Sequence, residues 1–330
     1  MRPVDYVRPL DVAEVLTLVA ERPAARFLGG GTNLIDLIRQ GVERPDTLVD
    51  TTALPLAGID TALGGGLRIG ATTRNSDLAD DHLVRTRYPL LAQAVLAGAS
   101  GQLRNMATVG GNLHQRTRCP YFVDRESPCN KREPGSGCGA LEGIGRSTAV
   151  LGTSDHCIAV HPSDMAVALT ALEAQVELTG PRGTRQVAMG DFHLAPGETP
   201  HLETVTQADE LVTAVLLPPP SLGVARYRKV RDRASYAFAL VSVAALLDVH
   251  DGQIRQARLG LGGVATTPWR AHAAELVLVG AAPTDEVFEA AAAAELAPAK
   301  SLPDNAFKVQ LARRTIVATL RRLRADGSAS

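Results

Sequence analysis

Cys119, Cys129, Cys138 and Cys157 are the only cysteines in this 330-residue chain, and all four fall in one window with the spacing C-x9-C-x8-C-x18-C. Four soft thiolates in one loop suit a [4Fe–4S] cluster or a structural zinc. Zinc sites usually draw on close C-x2-4-C pairs, which are absent here, so the spacing weighs against zinc more than it argues for iron. Unligated or disulfide-bonded thiols are the third reading. Arg116, Arg118, Arg125, Lys131 and Arg132 surround the first two thiols, against Asp124, Glu126 and Glu133. Nearby positive charge favours thiolate and offsets the charge of a cluster. Pro120, Pro128 and Pro134, with Gly135, Gly137 and Gly139, keep the segment irregular, so a bound metal is expected to fix its shape. His114, His156 and His161 flank it and read as hydrogen-bonded loop residues rather than ligands.

A second chemistry lies in two glycine turns. Arg26-Phe27-Leu28 reads as a strand running into Gly29-Gly30-Gly31-Thr32-Asn33, and Leu34 opens a helix. Glycines let backbone approach a phosphate, and the free N–H groups of a helix start point at the anion. Neither G-x-G-x-x-G nor a following Gly-Lys-Ser/Thr is present, so the common nucleotide fingerprints are absent. A plain tight turn with an N-cap fits this stretch as well. Thr108, followed by Gly110-Gly111-Asn112, repeats the same chemistry. Two such turns together could clamp a pyrophosphate, and a flavin dinucleotide is long enough to lie across a domain boundary.

Two charged residues complete the set. Asp164 follows Ser163 at a helix start, where the dipole alone would favour an acid; its functional alternative is to accept hydrogen bonds from ribityl hydroxyls. Lys229 sits in the run Tyr227-Arg228-Lys229-Val230-Arg231-Asp232-Arg233. By itself that run reads as a solvated charged stretch; its alternative is a cation facing a flavin ring.

These residues need a scaffold, and the pattern predicts an α+β chain in three regions. Residues 1–55 form a small α/β unit, with a helix over 11–19, a strand at 26–28, a helix over 34–40 and a strand at 47–50. Residues 56–220 hold a strand at 67–70, a helix over 89–97, the cysteine loop over 114–157, and a strand at 157–160. A helix from Ser163 to about Ala174 and a strand at 175–178 follow. Pro218-Pro219-Pro220 marks the boundary to 221–330. There, 239–249 and 253–262 flank Asp251-Gly252 as a hairpin, and helices cover 285–296 and 305–323. Lys308, Arg313, Arg314, Arg321 and Arg322 on the last helix read as a solvated face.

With 45% hydrophobic residues and a formal net charge of −1, the chain can bury a sizeable core and shows no basic excess for nucleic acid. The longest apolar run, 237–247, is interrupted by Ser242 and falls short of the roughly 20 residues of a membrane span. The N-terminus carries no apolar signal region of its own. The expectation is a cytoplasmic chain, with the periplasm open to it through co-export with a signal-bearing partner. In a reducing compartment, clustered thiols favour metal or redox roles over disulfides.

The stretches Leu28 to Leu34, Thr108 to Leu113 and His161-Pro162-Ser163-Asp164-Met165-Ala166 resemble the FAD-binding subunit of the xanthine dehydrogenase family of molybdenum hydroxylases. The resemblance covers nearly the whole chain. It is closer at Gln115 to Phe122, Pro128 to Arg132, Pro134 to Cys138 and Tyr227 to Ala245, which look like the flavin subunit of bacterial, often periplasmic, aldehyde oxidoreductases with a [4Fe–4S]-bearing loop. The resemblance implies a two-part PCMH-type (vanillyl-alcohol-oxidase-like) FAD-binding domain and a CO-dehydrogenase-flavoprotein-like α+β C-terminal domain. It places the pyrophosphate of FAD against Leu28, Gly29, Gly30, Gly31, Thr32, Asn33 and Leu34, with Thr108, Gly110, Gly111 and Asn112 opposite. Asp164 and Lys229 would contact the flavin, and Cys119, Cys129, Cys138 and Cys157 would hold the cluster. The implied role is electron transfer in a heterotrimeric molybdenum-dependent aldehyde dehydrogenase. A large molybdenum-cofactor subunit and a small [2Fe–2S] subunit would be its partners, and this chain would not oxidise aldehyde alone. A relative acting on a purine, carbon monoxide or a hydroxybenzoyl thioester is the alternative, and a zinc-stabilised binding protein is the rival from another class.

Overall fold

The computed structural model describes residues 3–327, which build three sheets in succession. The first is wholly parallel, in the order β1 (Asp5–Val7), β3 (Thr47–Asp50), β2 (Arg26–Leu28). The Val12–Glu21 helix, capped by the Asp11 carboxylate on Glu14 N–H, buries Val15 and Val19 against Val49. β2 delivers the chain into the glycine turn, and the Leu34–Arg39 helix follows directly.

The second sheet is antiparallel, in the order β4 (Ile59–Thr61), β5 (Leu67–Gly70), β8 (Leu211–Leu217), β6 (Gln175–Gly180), β7 (Gly183–Ala188). Its centre, β8, has no counterpart among the sequence expectations. The run Leu-Val-Thr-Ala-Val-Leu-Leu is buried at every position but Leu216, so it lacks the alternation that marks a half-exposed strand. The Pro89–Ala97 and Asp164–Ala171 helices pack on this sheet in the largest core. The second of these ends before Ala174, because Glu173 turns to a left-handed φ of 54° ahead of β6.

The third sheet runs β12 (Trp269–Arg270), β11 (Gln253–Gly262), β10 (Val241–His250), β9 (Val224–Val230), again antiparallel. The Asp251–Gly252 turn joins β10 to β11 with φ of 51° and 74°, as a tight hairpin requires. The His272–Leu278, Asp285–Leu296 and Phe307–Gly327 helices cover one face.

Two expectations change. Residues 157–160 are not a ladder strand. Cys157 forms only an isolated bridge with Ser154, while the Ile158 carbonyl accepts from Ala149 N–H and His161 N–H donates to Ala265 O. The segment's backbone bonds go to three separate loops. Lys308 is not on a solvated face: it is 1% exposed, and its ammonium donates to the carbonyls of Thr148 and Gly263 at 2.9 and 2.8 Å. Arg313 and Arg321 of the same helix do reach solvent, where they pair with Glu289 and Asp285. Among the described residues no helix is long and apolar enough to cross a membrane.

Candidate functional site

The two glycine turns meet. A Cβ on Gly29 would fall 2.5 Å from Thr108 Oγ1, and one on Gly30 would overlap the Met106 carbonyl. Gly31 holds a φ of 71°, which turns the chain into the Leu34–Arg39 helix. On the other side the Thr108 hydroxyl caps a short helix over Val109–Leu113 by accepting from Gly111 N–H at 3.2 Å. Residues 28–34 are half-buried throughout. The result is one open cradle between a glycine turn that runs into a helix start and a second turn whose Val109, Gly110, Gly111 and Asn112 N–H groups donate to Thr73 O, Ala71 O, Thr108 Oγ1 and Thr108 O.

Asn33 and Asn112 tie this cradle to the cysteine loop. Asn33 makes no side-chain cap; its Oδ1 accepts from Arg116 N–H at 2.8 Å. Asn112 Oδ1 accepts from the Ser163 hydroxyl at 2.6 Å and from Gln115 Nε2 at 2.9 Å. Arg116 reaches Glu203 at 2.9 Å and also pairs with Glu43, and Lys131 lies 3.3 Å from Glu203. Burial by itself would push the Glu203 carboxyl up; Arg116 and Lys131 outweigh it and hold the group below the usual carboxylate range. This network fastens the loop to both flanking units.

The loop is framed by its own polar side chains. The Arg132 guanidinium donates to the carbonyls of Tyr121, Phe122 and Asp124 at 2.8, 2.9 and 2.7 Å, and to that of Ser127. Asn130 Oδ1 accepts from Gly135 and Gly137 N–H, and its Nδ2 donates to His156 O. Phe122 is fully buried, packed with Leu37 and Cys129. Hydrogen bonding and a small core thus contribute to the loop's shape.

All four cysteines are free thiols. Cys129 and Cys138 face each other across an isolated antiparallel bridge. Burial pushes the Cys157 thiol up to about 11, with Lys131 pulling the other way and Cys138 and Cys129 adding to the rise. Burial also raises Cys119, and the thiols of Cys129 and Cys138 add to it. The four sulfurs thus share one neighbourhood, and burial disfavours the thiolate at Cys119 and Cys157. Among the described residues no three His, Cys, Asp or Glu side chains gather closely enough to hold a metal ion as they stand.

Asp164 and Lys229 come together, and neither is solvated. Lys229 Nζ lies 2.7 Å from Asp164 Oδ2 and also donates to Ala97 O at 3.1 Å. The Tyr227 hydroxyl donates to Asp164 Oδ1. Burial, then the Asp164 carboxylate, drive the Tyr227 phenol well above its ordinary value, so it stays a donor. Lys229 is therefore not part of a solvated run. Sequence reasoning assigned Tyr227 no site role, although it lies two residues before Lys229 and so shares its face of β9. Asp164 also lines a cavity of about 170 Å³ that opens between the cysteine-loop segments, the start of the Asp164–Ala171 helix and the third sheet, with Arg118, Cys119, His161, Phe238 and Ser242.

Comparison with known proteins bears on this arrangement. Residues 2–220 match the family described as FAD binding domain in molybdopterin dehydrogenase, and residues 225–323 match the CO dehydrogenase flavoprotein C-terminal domain. The chain is 51% identical over 329 residues to the aldehyde oxidoreductase FAD-binding subunit PaoB of Escherichia coli (strain K12), covering 99% of this chain and all of that one. It is 29% identical over 285 residues to the glyceraldehyde dehydrogenase medium chain of Sulfolobus acidocaldarius, covering 86% and 84% of the two chains. A solved carbon monoxide dehydrogenase of Hydrogenophaga pseudoflava superposes with a TM-score of 0.78 at 26% identity, covering 98% of this chain and 99% of that one.

Proposed function

This chain belongs to the family of FAD-binding domains of molybdopterin dehydrogenases, with the C-terminal domain of CO dehydrogenase flavoproteins, and from that premise we propose that it is the electron-transfer subunit of a molybdenum-dependent aldehyde dehydrogenase. The observation that carries the reading is the meeting of the two glycine turns, Gly29 on Thr108 and Gly30 on Met106. A cradle in which glycines let backbone approach closely beside a helix start suits a pyrophosphate. Identity to the aldehyde oxidoreductase subunit supports the substrate class. When bound, FAD would supply the exchange of electrons in pairs or singly between a donor and an acceptor.

The protein's own residues would do the rest. Residues 28–34 would hold the pyrophosphate through backbone N–H groups, with Thr108 and Gly110 to Asn112 lining the other side. Asp164, with two oxygens already accepting from Tyr227 and Lys229, keeps lone pairs free for ribityl hydroxyls. Lys229 would fix that carboxylate in place. The aldehyde site would lie on a large molybdenum-cofactor partner, with a small [2Fe–2S] partner between the two.

Cys119, Cys129, Cys138 and Cys157 would hold a [4Fe–4S] cluster. What supports this is the donor set: four free cysteines, each within the field of others, beside Lys131 and Arg116. The absence of close C-x2-4-C pairs weighs against a structural zinc.

The deciding experiment is an anaerobic optical and EPR spectrum of the purified chain with metal counting. FAD absorbance, about four irons with acid-labile sulfide and no aldehyde turnover by the chain alone are expected. Absence of both flavin and iron, or unaided turnover, defeats the reading; one zinc without flavin favours a binding protein instead.

A further inference from the structure

The cavity between the 159–164 segment and the third sheet carries two buried polar groups with no partner, one from each side. On the first side is His161. Its Nδ1 accepts from Ser163 N–H at 3.3 Å. An amide N–H can only donate, so Nδ1 is the bare nitrogen. Burial, with the positive charges of Lys131 and Arg118 adding to it, keeps the ring neutral. The ring's one proton therefore sits on Nε2, and Nε2 is buried without a hydrogen-bond partner.

The ring cannot turn to relieve this. Rotating it would take Nδ1 away from Ser163, and its face is held edge-on by His193 with centroids 4.3 Å apart at 66°. His193 is itself fixed, because its Nε2 donates to Leu113 O at 2.9 Å and its ring stands at 88° to Phe192. That leaves His193 Nδ1 bare, and it too has no partner; the two unpaired nitrogens do not bond to each other.

On the second side is Ser242 of β10, 1% exposed. Its hydroxyl lies near the Tyr227 oxygen, which could accept from it because the Tyr227 proton goes to Asp164, but the contact falls outside ordinary hydrogen-bond geometry. A Cβ on Gly262 would fall 2.5 Å from Ser242 Oγ, so the hydroxyl occupies the space that the glycine opposite it leaves open, and both residues line the cavity. His161, Ser242 and Asp164 all line this one space. Buried donors are almost always paired in folded proteins, so two unpaired polar groups on one cavity mark where a ligand's polar edge belongs.

We propose that His161 and Ser242 are positioning residues for the pyrimidine edge of a flavin ring, with His161 Nε2–H donating to a ring carbonyl and the Ser242 hydroxyl facing the same edge. This rests on the flavin reading above. The edge presents carbonyl, N–H and carbonyl in alternation, which matches a fixed donor beside a hydroxyl that can donate or accept. A donor at a ring carbonyl favours the reduced, more negative ring over the oxidised one, so His161 would raise the flavin's midpoint potential.

The test uses the FAD-loaded full chain and reads affinity by fluorescence titration, the visible absorption band, and the midpoint potential by spectroelectrochemistry. His161→Leu is expected to lower the potential by about 30 mV, the equivalent of a tenfold loss of preference for the reduced state in a two-electron couple. His161→Gln, which retains a donor, should recover most of that shift. Ser242→Ala should weaken FAD binding several-fold and move the absorption band. Should His161→Leu fail to fold, His161→Gln and Ser242→Ala decide the matter. A parent potential and spectrum in His161→Leu, or parent affinity and spectrum in Ser242→Ala, overturns the assignment and leaves these groups to bound water. A parent chain that binds no FAD overturns the flavin reading itself.

Discussion

Lys229 Nζ lies 2.7 Å from Asp164 Oδ2, with the two side chains 4% and 9% exposed, and the pair joins a strand of the third sheet to the first turn of a helix on the second. Buried pairs are weak stabilisers when intact but leave an uncompensated charge when broken. Lys229→Met is expected to destabilise the fold by roughly 3–5 kcal/mol, read by urea unfolding. The Lys229→Met, Asp164→Asn double variant should recover part of that loss. Equal stability in Lys229→Met and the parent would show that the pair is not held in solution.

The contact between the two glycine turns predicts a selective loss. Gly30→Ala places a methyl group onto the Met106 carbonyl, so one turn must move. With overpacking strain of about 3 kcal/mol, FAD affinity should fall about 100-fold, measured by fluorescence titration. Gly101→Ala, where a Cβ meets nothing within 4 Å, should bind like the parent.

Lys308 predicts an alkaline signature. Burial lowers its ammonium from 10.5 to about 8. Between those values the unfolded chain holds a proton that the folded chain has released, so this residue adds stability as pH rises from 8 to 10.5. Lys308→Met should lose that slope and, with two carbonyls left unpaired, cost about 2–4 kcal/mol. Urea midpoints at pH 7.5 and pH 10 measure both effects.

His193 predicts the acid side. Burial depresses its imidazole from 6.5 to about 4. The unfolded chain therefore takes up a proton that the folded chain refuses, and stability falls as pH drops from 6.5 to 4, by up to about 3 kcal/mol. His193→Gln, which can still donate to Leu113 O, should flatten that part of the urea-midpoint curve by about one proton.

Cys129→Ser separates the two cofactors. Iron content should collapse, because one of four thiolates is gone, whereas FAD should remain, since no residue of the glycine cradle is a cysteine. Metal loading of the parent should also weaken as pH falls, because the raised thiols of Cys119 and Cys157 must give up protons to bind. Metal counting beside flavin absorbance reads both; loss of flavin together with iron would show that the loop supports the cradle.

Much of the fold was legible because its signals are short-range. The Asp251–Gly252 hairpin, the Ser163 cap, the Pro89 helix start and the Gly31 turn each act within a few residues, and each forms as its local chemistry demands. β8 was not legible, since a strand covered on both faces has no period to reveal it. The 157–160 segment looked like a strand by composition, but its neighbours in space are loops.

For the site, residue types and spacing alone were enough to nominate the two glycine turns, Asp164, Lys229 and the four cysteines, because close backbone approach, a helix start and soft ligation are properties of the residues themselves. Only the tertiary structure decided which of them meet. Gly29 reaches Thr108, Lys229 pairs with Asp164, and Lys308 is buried under Thr148 and Gly263. His161 is left with a proton and nothing to give it to. Each of these depends on packing between segments far apart in the chain, where burial and the loss of water as a partner set the energetics, and no local pattern records that.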